Sequence, residues 1–65
     1  MNEEQRIAYM NGQIACAQIE AMGMSAENAY WISIGQSPAY RMEDFENVIN
    51  KYGIHNNAVL DFFRR

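Results

Sequence analysis

This chain has to build a stable core from 65 residues without a disulfide, because Cys16 is its only cysteine. A domain of this size buries only about 60% of the surface that its unfolded chain exposes, so its stability is small. One histidine and one cysteine do not make a closed metal site. We therefore expect no metal, no cofactor, and one domain over residues 1–65 that depends on helix packing, self-association or both.

Glycine positions and apolar spacing predict an all-α fold, a compact bundle of three to four short helices. Gly23, Gly35 and Gly53 each follow a helix-like stretch and are typical of the residue just after a helix end, where a left-handed backbone is needed. No stretch shows the alternation of a β-strand. The predicted helices span 3–22, 26–34, 38–52 and 56–64, and their N-caps are Asn2, Ser25, Ser37 and Asn56.

The first predicted helix has more apolar residues than one stripe can hold. The stripe, at spacings of three and four, consists of Ile7, Met10, Ile14, Ala17 and Ala21, whereas Tyr9, Cys16, Ile19 and Met22 lie outside it. A soluble monomer rarely exposes a contiguous apolar patch larger than roughly a few hundred Å². Pairing of two chains hides such a surplus, so the sequence predicts a homodimer.

Two individual residues are expected to be buried. Trp31 lies on the short second segment with apolar residues on several sides, so we expect it to be largely buried. Cys16 lies among alanines in the middle of the first helix, and we interpret it as a small core residue rather than a nucleophile.

Charge and hydropathy indicate the class of partner and the compartment. The net charge is −3 and the only cationic pair is Arg64-Arg65, which disfavours nucleic acid because phosphate contacts need a basic surface. The sequence contains no run of about 18 apolar residues, so it predicts no transmembrane helix, and we expect no membrane partner. The acidic start lacks the pattern of a signal peptide, and a lone cysteine suits a cytoplasmic protein.

Several polar and aromatic residues at helix ends are candidate partner contacts. A loop that presents an amide and a phenol is suited to binding a partner, and an aromatic face on the last helix adds to it. The candidates are Gln36, Tyr40, His55, Phe62 and Phe63. For His55 a plain turn residue is one interpretation, and a general base or ligand-binding loop is the other. No catalytic triad, metal cluster or phosphate loop can be assembled, so we expect no enzyme.

A helix-turn-helix regulator associated with nucleic acid is the alternative function. The predicted helices on either side of Gly35 give the required order of a helix, a turn and a second helix. That alignment places Trp31 where a small residue is usual, and it places Arg41 and Asp44 at inward-facing positions. The candidate recognition helix is also acidic. The pattern favours an interaction protein over this alternative.

Three segments, Ala26–Asn28, Gly35–Tyr40 and Tyr52–Asn57, resemble short proteins encoded in the early regions of lambda-like phages and prophages. The resemblance extends over most of the chain. It implies a small accessory protein in the cytoplasm of a bacterial host cell, which modulates host or phage machinery by binding a host or phage protein. It assigns no functional residues.

Overall fold

The computed structural model describes residues 1–64, and the fold is all-helical. α1 spans Glu3–Ser33, α2 spans Met42–Lys51 and α3 spans Asn56–Arg64. Both short helices lie along α1 and run against its direction, since Lys51 is bonded to Glu20 and the Phe63 carbonyl accepts a hydrogen bond from Arg6. The molecule therefore consists of two rods, α1 and a second rod made of α2 and α3 placed end to end.

The N-terminus of α1 is fixed by a capping box. The Asn2 side chain accepts a hydrogen bond from the Gln5 backbone N–H at 2.8 Å, and the Gln5 side chain accepts one from the Asn2 N–H at 3.0 Å. Glu3 and Glu4 lie in the first turn, where the helix dipole favours negative charge. The predicted N-cap at Asn2 is confirmed.

The predicted break at Gly23 is wrong, because α1 is one helix from Glu3 to Ser33. Ser25 is accordingly a mid-helix residue and not an N-cap. Residues seven apart, Met10, Ala17, Met24 and Trp31, keep one phase across Gly23, so a single side of the helix packs on the second rod. This packing outweighs the weak helix preference of one glycine, about 1 kcal/mol.

The other two glycines end helices as predicted. Gly35 and Gly53 have φ of 81° and 65°, in the left-handed region that favours glycine. After each glycine the chain makes the paired hydrogen bonds of a Schellman motif: the N–H of Ile54 bonds to the Ile49 carbonyl at 3.2 Å, and that of Gln36 to the Trp31 carbonyl at 2.9 Å. These turns set the ends of α2 and α1.

Replacing glycine by alanine should have opposite effects at Gly23 and Gly53. A Cβ at Gly23 meets no atom within 4 Å and sits in regular helix, so Gly23→Ala should stabilise the fold by about 0.5–1 kcal/mol. Gly53→Ala places a side chain at positive φ and should destabilise by about 1 kcal/mol. Thermal unfolding followed by circular dichroism measures both. A lower melting temperature for Gly23→Ala would contradict the continuous helix.

α2 starts four residues later than predicted, at Met42 rather than Pro38. The Asn28 side chain accepts from the Tyr40 N–H at 2.8 Å and donates to the Tyr40 carbonyl at 3.0 Å, so this backbone is tied to α1 and does not coil into α2. Asp44 then caps the helix by accepting from the Arg41 N–H at 2.8 Å. The hydrogen bonds between Asn28 and Tyr40 therefore override the local start signal at Ser37, and Ser37 is not an N-cap.

The chain is elongated and not the compact bundle that the sequence predicts. Its extents are 50 × 18 × 11 Å, and its radius of gyration is 15.0 Å, whereas a compact chain of this length has roughly 11 Å. Within residues 1–64 the buried side chains are Met10, Ala17 and Val48. The two rods form a single layer, so the core is the line where they touch.

The burial expected for Trp31 and Cys16 is not found. Cys16 is exposed, and it shares the helix phase of Tyr9 at the edge of the contact with the second rod. Trp31 is half-buried and contacts Tyr30 edge to face. The connection between α1 and α2 is anchored at Asn28, and α2 runs from there towards Glu20, so it does not cover Trp31.

Candidate interaction surface

On one side of the two-rod layer, α1 carries no charged residue from Ile7 to Ser25. On α1 this side is formed by positions spaced three and four apart, and on α2 by the three residues that share the same side. We call it the uncharged face, and its residues are Ile7, Asn11, Ile14, Gln18, Ala21, Ser25, Met42, Phe45 and Ile49. Glu46 borders it on α2. A surface of this kind repels neither itself nor an apolar partner.

The uncharged face is apolar and partly hollow. Ile7 and Ile14 are 47% and 38% exposed, and Met42 is 73% exposed. A shallow hollow of about 330 Å³ lies between Ile14 of α1 and Ile49 of α2. A second, more open hollow lies beside it, and its lining includes Ala21, Ser25 and Phe45. The hollows arise because small residues on α1 lie next to a large aromatic residue on α2.

The structure separates the predicted partner contacts into two groups. Gln36 and Tyr40 lie at the end of the molecule where α1 gives way to α2. Gln36 is exposed, and its N–H is used in the Schellman turn. Tyr40 is half-buried, and a hydrogen bond to Glu27 raises the pKa of its phenol. Of the two side chains, that of Gln36 is the more accessible to a partner.

The other three predicted contacts, His55, Phe62 and Phe63, belong to α3. Nδ1 of His55 accepts a hydrogen bond from the Ala58 N–H at 3.3 Å, so His55 and not the predicted Asn56 caps the helix. The Phe62 ring stacks on Tyr9 with centroids 5.2 Å apart, and Phe63 meets Phe62 edge to face at 5.4 Å. Phe62 is thus a contact within the chain, and its replacement would loosen α3 as well as any partner surface.

The opposite side of the α1–α2 contact is polar. Lys51 Nζ lies 3.0 and 3.3 Å from the two carboxylate oxygens of Glu20. Hydrogen bonds from Lys51 and then from Tyr52 lower the pKa of Glu20, and the bond to Glu20 raises the pKa of Lys51. The Gln13 side chain donates to the Tyr52 carbonyl at 3.1 Å. These groups hold α2 on α1 and are engaged in structural contacts.

The Glu20–Lys51 pair predicts a small pH dependence of stability. Because the folded-state pKa of Glu20 lies below its ordinary value of 4.5, the stabilisation is present above that value and is lost as the pH falls through the lowered pKa. The pair is solvent-exposed and therefore screened by salt. The melting-temperature advantage of the natural chain over Glu20→Gln should shrink between about pH 6 and about pH 3. An advantage that stays constant would contradict this.

The sequence prediction did not include α2 in the interaction surface. The spacing of Met42, Phe45 and Ile49 indicates an apolar face, but the apolar face of a helix is normally buried in the core of its own chain. α2 turns only Val48 fully inward. The single-layer arrangement, which leaves the rest of that face uncovered, cannot be read from spacing.

No family model, curated protein or solved structure matches this chain. Among residues 1–64, no helix combines the length and the apolarity that crossing a membrane requires.

Proposed function

We propose that this protein acts by protein–protein contact, as a homodimer, and not by catalysis. The observation that carries the proposal is the exposed area. The chain exposes 4997 Å², whereas a compact protein of 7.5 kDa exposes roughly 4,250 Å². The excess of roughly 750 Å² is close to the 800 Å² or so that each partner contributes to a stable protein interface.

The composition of α1 supports the same proposal. Between Ile7 and Ser33 its only charged residues are Glu20 and Glu27. Glu20 pairs with Lys51 and Glu27 bonds to Tyr40, so both belong to the side that carries the second rod. A helix that is uncharged on its remaining sides is typically an inner helix of a larger assembly.

A second copy would also supply the stability that the single layer lacks. Domains are normally built from two packed layers around one core, and this chain provides one layer. Two such layers, face to face, would form a four-rod bundle with a shared core. The bundle predicted from the sequence is then a property of the dimer and not of one chain.

The alternative, a helix-turn-helix regulator, has less support. Residues 34–41 connect α1 to α2, whereas the turn of that motif has roughly three or four residues. The first turn of α2 carries Glu43 and Asp44, which would face the phosphates in a recognition helix.

Beyond self-association, we propose an accessory role in which the dimer binds a host or phage protein. The exposed end of the molecule around Gln36 is the surface that dimer formation on the uncharged face leaves free. The resemblance to phage early proteins stays a prediction about origin, and the proposed dimer does not depend on it.

Sedimentation equilibrium tests the dimer directly. The expected species has twice the mass of the 7.5 kDa chain, and it dissociates on dilution from about 100 µM towards about 1 µM with a parallel fall in melting temperature. A folded species of 7.5 kDa at every concentration would disprove self-association.

A further inference from the structure

We infer that a second copy of this chain packs on the uncharged face with the two α1 helices antiparallel. The inference rests on the proposed function and identifies its surface and geometry. It assigns Ile7 of each chain to the hollow of the other, beside the partner's Ser25, and places the two-fold axis near the pair Ile14 and Gln18.

Charge favours a second copy as the occupant. A two-fold interface brings each surface patch against itself or its neighbour, so a charged patch would meet its own charge. The nine residues of the uncharged face carry none. Its side-chain amides, Asn11 and Gln18, donate and accept hydrogen bonds and carry no charge, so a second copy of the face does not repel them. A basic or acidic partner would find no complementary charge on this face.

Side-chain size sets the orientation. The N-terminal half of α1 presents Ile7 and Ile14. The C-terminal half presents Ala21 and Ser25 in a hollow beside Phe45, with Met22 at its rim. Antiparallel pairing inserts the projecting Ile7 of one chain into the hollow of the other. Parallel pairing would stack hollow on hollow and leave a void, which protein interiors avoid because unfilled space forfeits packing contacts.

Helical periodicity allows this antiparallel pairing along the whole face. The residues of α1 that form it, at 7, 11, 14, 18, 21 and 25, alternate spacings of four and three, the pattern of a helix–helix seam. Reversing one copy brings Ile7 against the partner's Ser25, Asn11 against the partner's Ala21, and Ile14 against the partner's Gln18. Each layer pairs a residue with a different one, so no layer sets isoleucine against isoleucine.

Disulfide trapping tests the orientation. In a Cys16→Ser background, Ile7→Cys and Ser25→Cys are prepared as separate variants, one carrying a size tag, and are oxidised alone and mixed. A disulfide requires Cα atoms within about 7 Å, so the mixture should give the cross-linked heterodimer and neither variant alone should cross-link efficiently. Efficient cross-linking of Ile7→Cys with itself would establish a parallel pairing and overturn the inference.

Two further variants test the face without disturbing the fold. Gln18→Glu changes an exposed side chain near the two-fold axis, and we expect the dimer dissociation constant to rise by more than about tenfold because two carboxylates would be desolvated together. Gln36→Glu makes the same change at an exposed position off the face, and it should leave dimerisation unaltered. Ile19→Glu, on the outer side of α1 away from the second rod, should also leave it unaltered.

The failures are distinguishable. A dimer that dissociates on Ile19→Glu but resists Gln18→Glu would overturn the assigned face while the proposed homodimer stands. A chain that is a folded monomer in sedimentation equilibrium, with no cross-link in any mixture, would overturn both.

Discussion

Val48→Asp is expected to unfold the protein. Val48 is 6% exposed and is the one buried residue of α2. An uncompensated buried charge costs about 3–5 kcal/mol, and a chain of this length has a total stability of roughly 3–10 kcal/mol. Lys51 is the nearest cation on α2, but Glu20 already holds it. Far-ultraviolet circular dichroism at neutral pH should show most of the helix signal lost.

Asn47→Asp is the matched control for this substitution. It introduces the same carboxylate one residue earlier on α2, at an exposed position. Its effect on the free energy of unfolding should stay within about 0.5 kcal/mol, as is usual for surface changes. If both variants unfold equally, the added negative charge and not its burial is responsible, and the placement of Val48 in the core is wrong.

Met10→Ala should cost about 2–5 kcal/mol of unfolding free energy, the usual range for truncating a buried methionine. Met10 is 7% exposed. It lies on α1 between Arg6, which contacts α3, and Gln13, which contacts the end of α2. Its loss removes packing from a core that has few other members. Urea unfolding at a fixed protein concentration measures the change.

Met22→Ala is the control on the same helix. Met22 is 70% exposed in the single chain, so at a concentration where the chain is monomeric the same truncation should change the unfolding free energy by no more than about 0.5 kcal/mol. A cost equal to that of Met10→Ala would mean that Met22 is covered in the native state. Because Met22 lines the open hollow together with Ala21 and Phe45, a second chain would then cover that hollow.

Local signals in the sequence identified helix ends correctly where no tertiary contact competes with them. Gly35 and Gly53 are each followed by a residue that closes the turn, and both end helices. Gly23 has a similar local sequence, but Met24 and Trp31 continue the helical phase of Met10 and Ala17 across it. The packing of the second rod on α1 favours a continuous helix over a turn at Gly23. This packing is a tertiary contact, and the local sequence does not reveal it.

The start of α2 and the interaction surface were harder to predict for the same reason. Ser37 and Pro38 are good local start signals, yet Asn28, twelve residues before Tyr40, holds that backbone extended. The surplus of apolar residues on α1 was recognised from spacing, and Ile19 and Met22 are indeed 71% and 70% exposed. Which side a partner covers depends on the single-layer arrangement, and spacing alone does not give that.

The two short helices are held independently, since within residues 1–64 each packs on α1 and they do not pack on each other. The nine residues of α3 are too few for a stable isolated helix, and its contacts with α1 include the Tyr9–Phe62 stack and the bond from Arg6 to the Phe63 carbonyl. α3 can therefore open as a local unit while α1 and α2 stay folded. Its backbone amides would exchange with solvent through this local opening, at a lower free energy than the amides around Val48, which exchange only when the whole molecule unfolds.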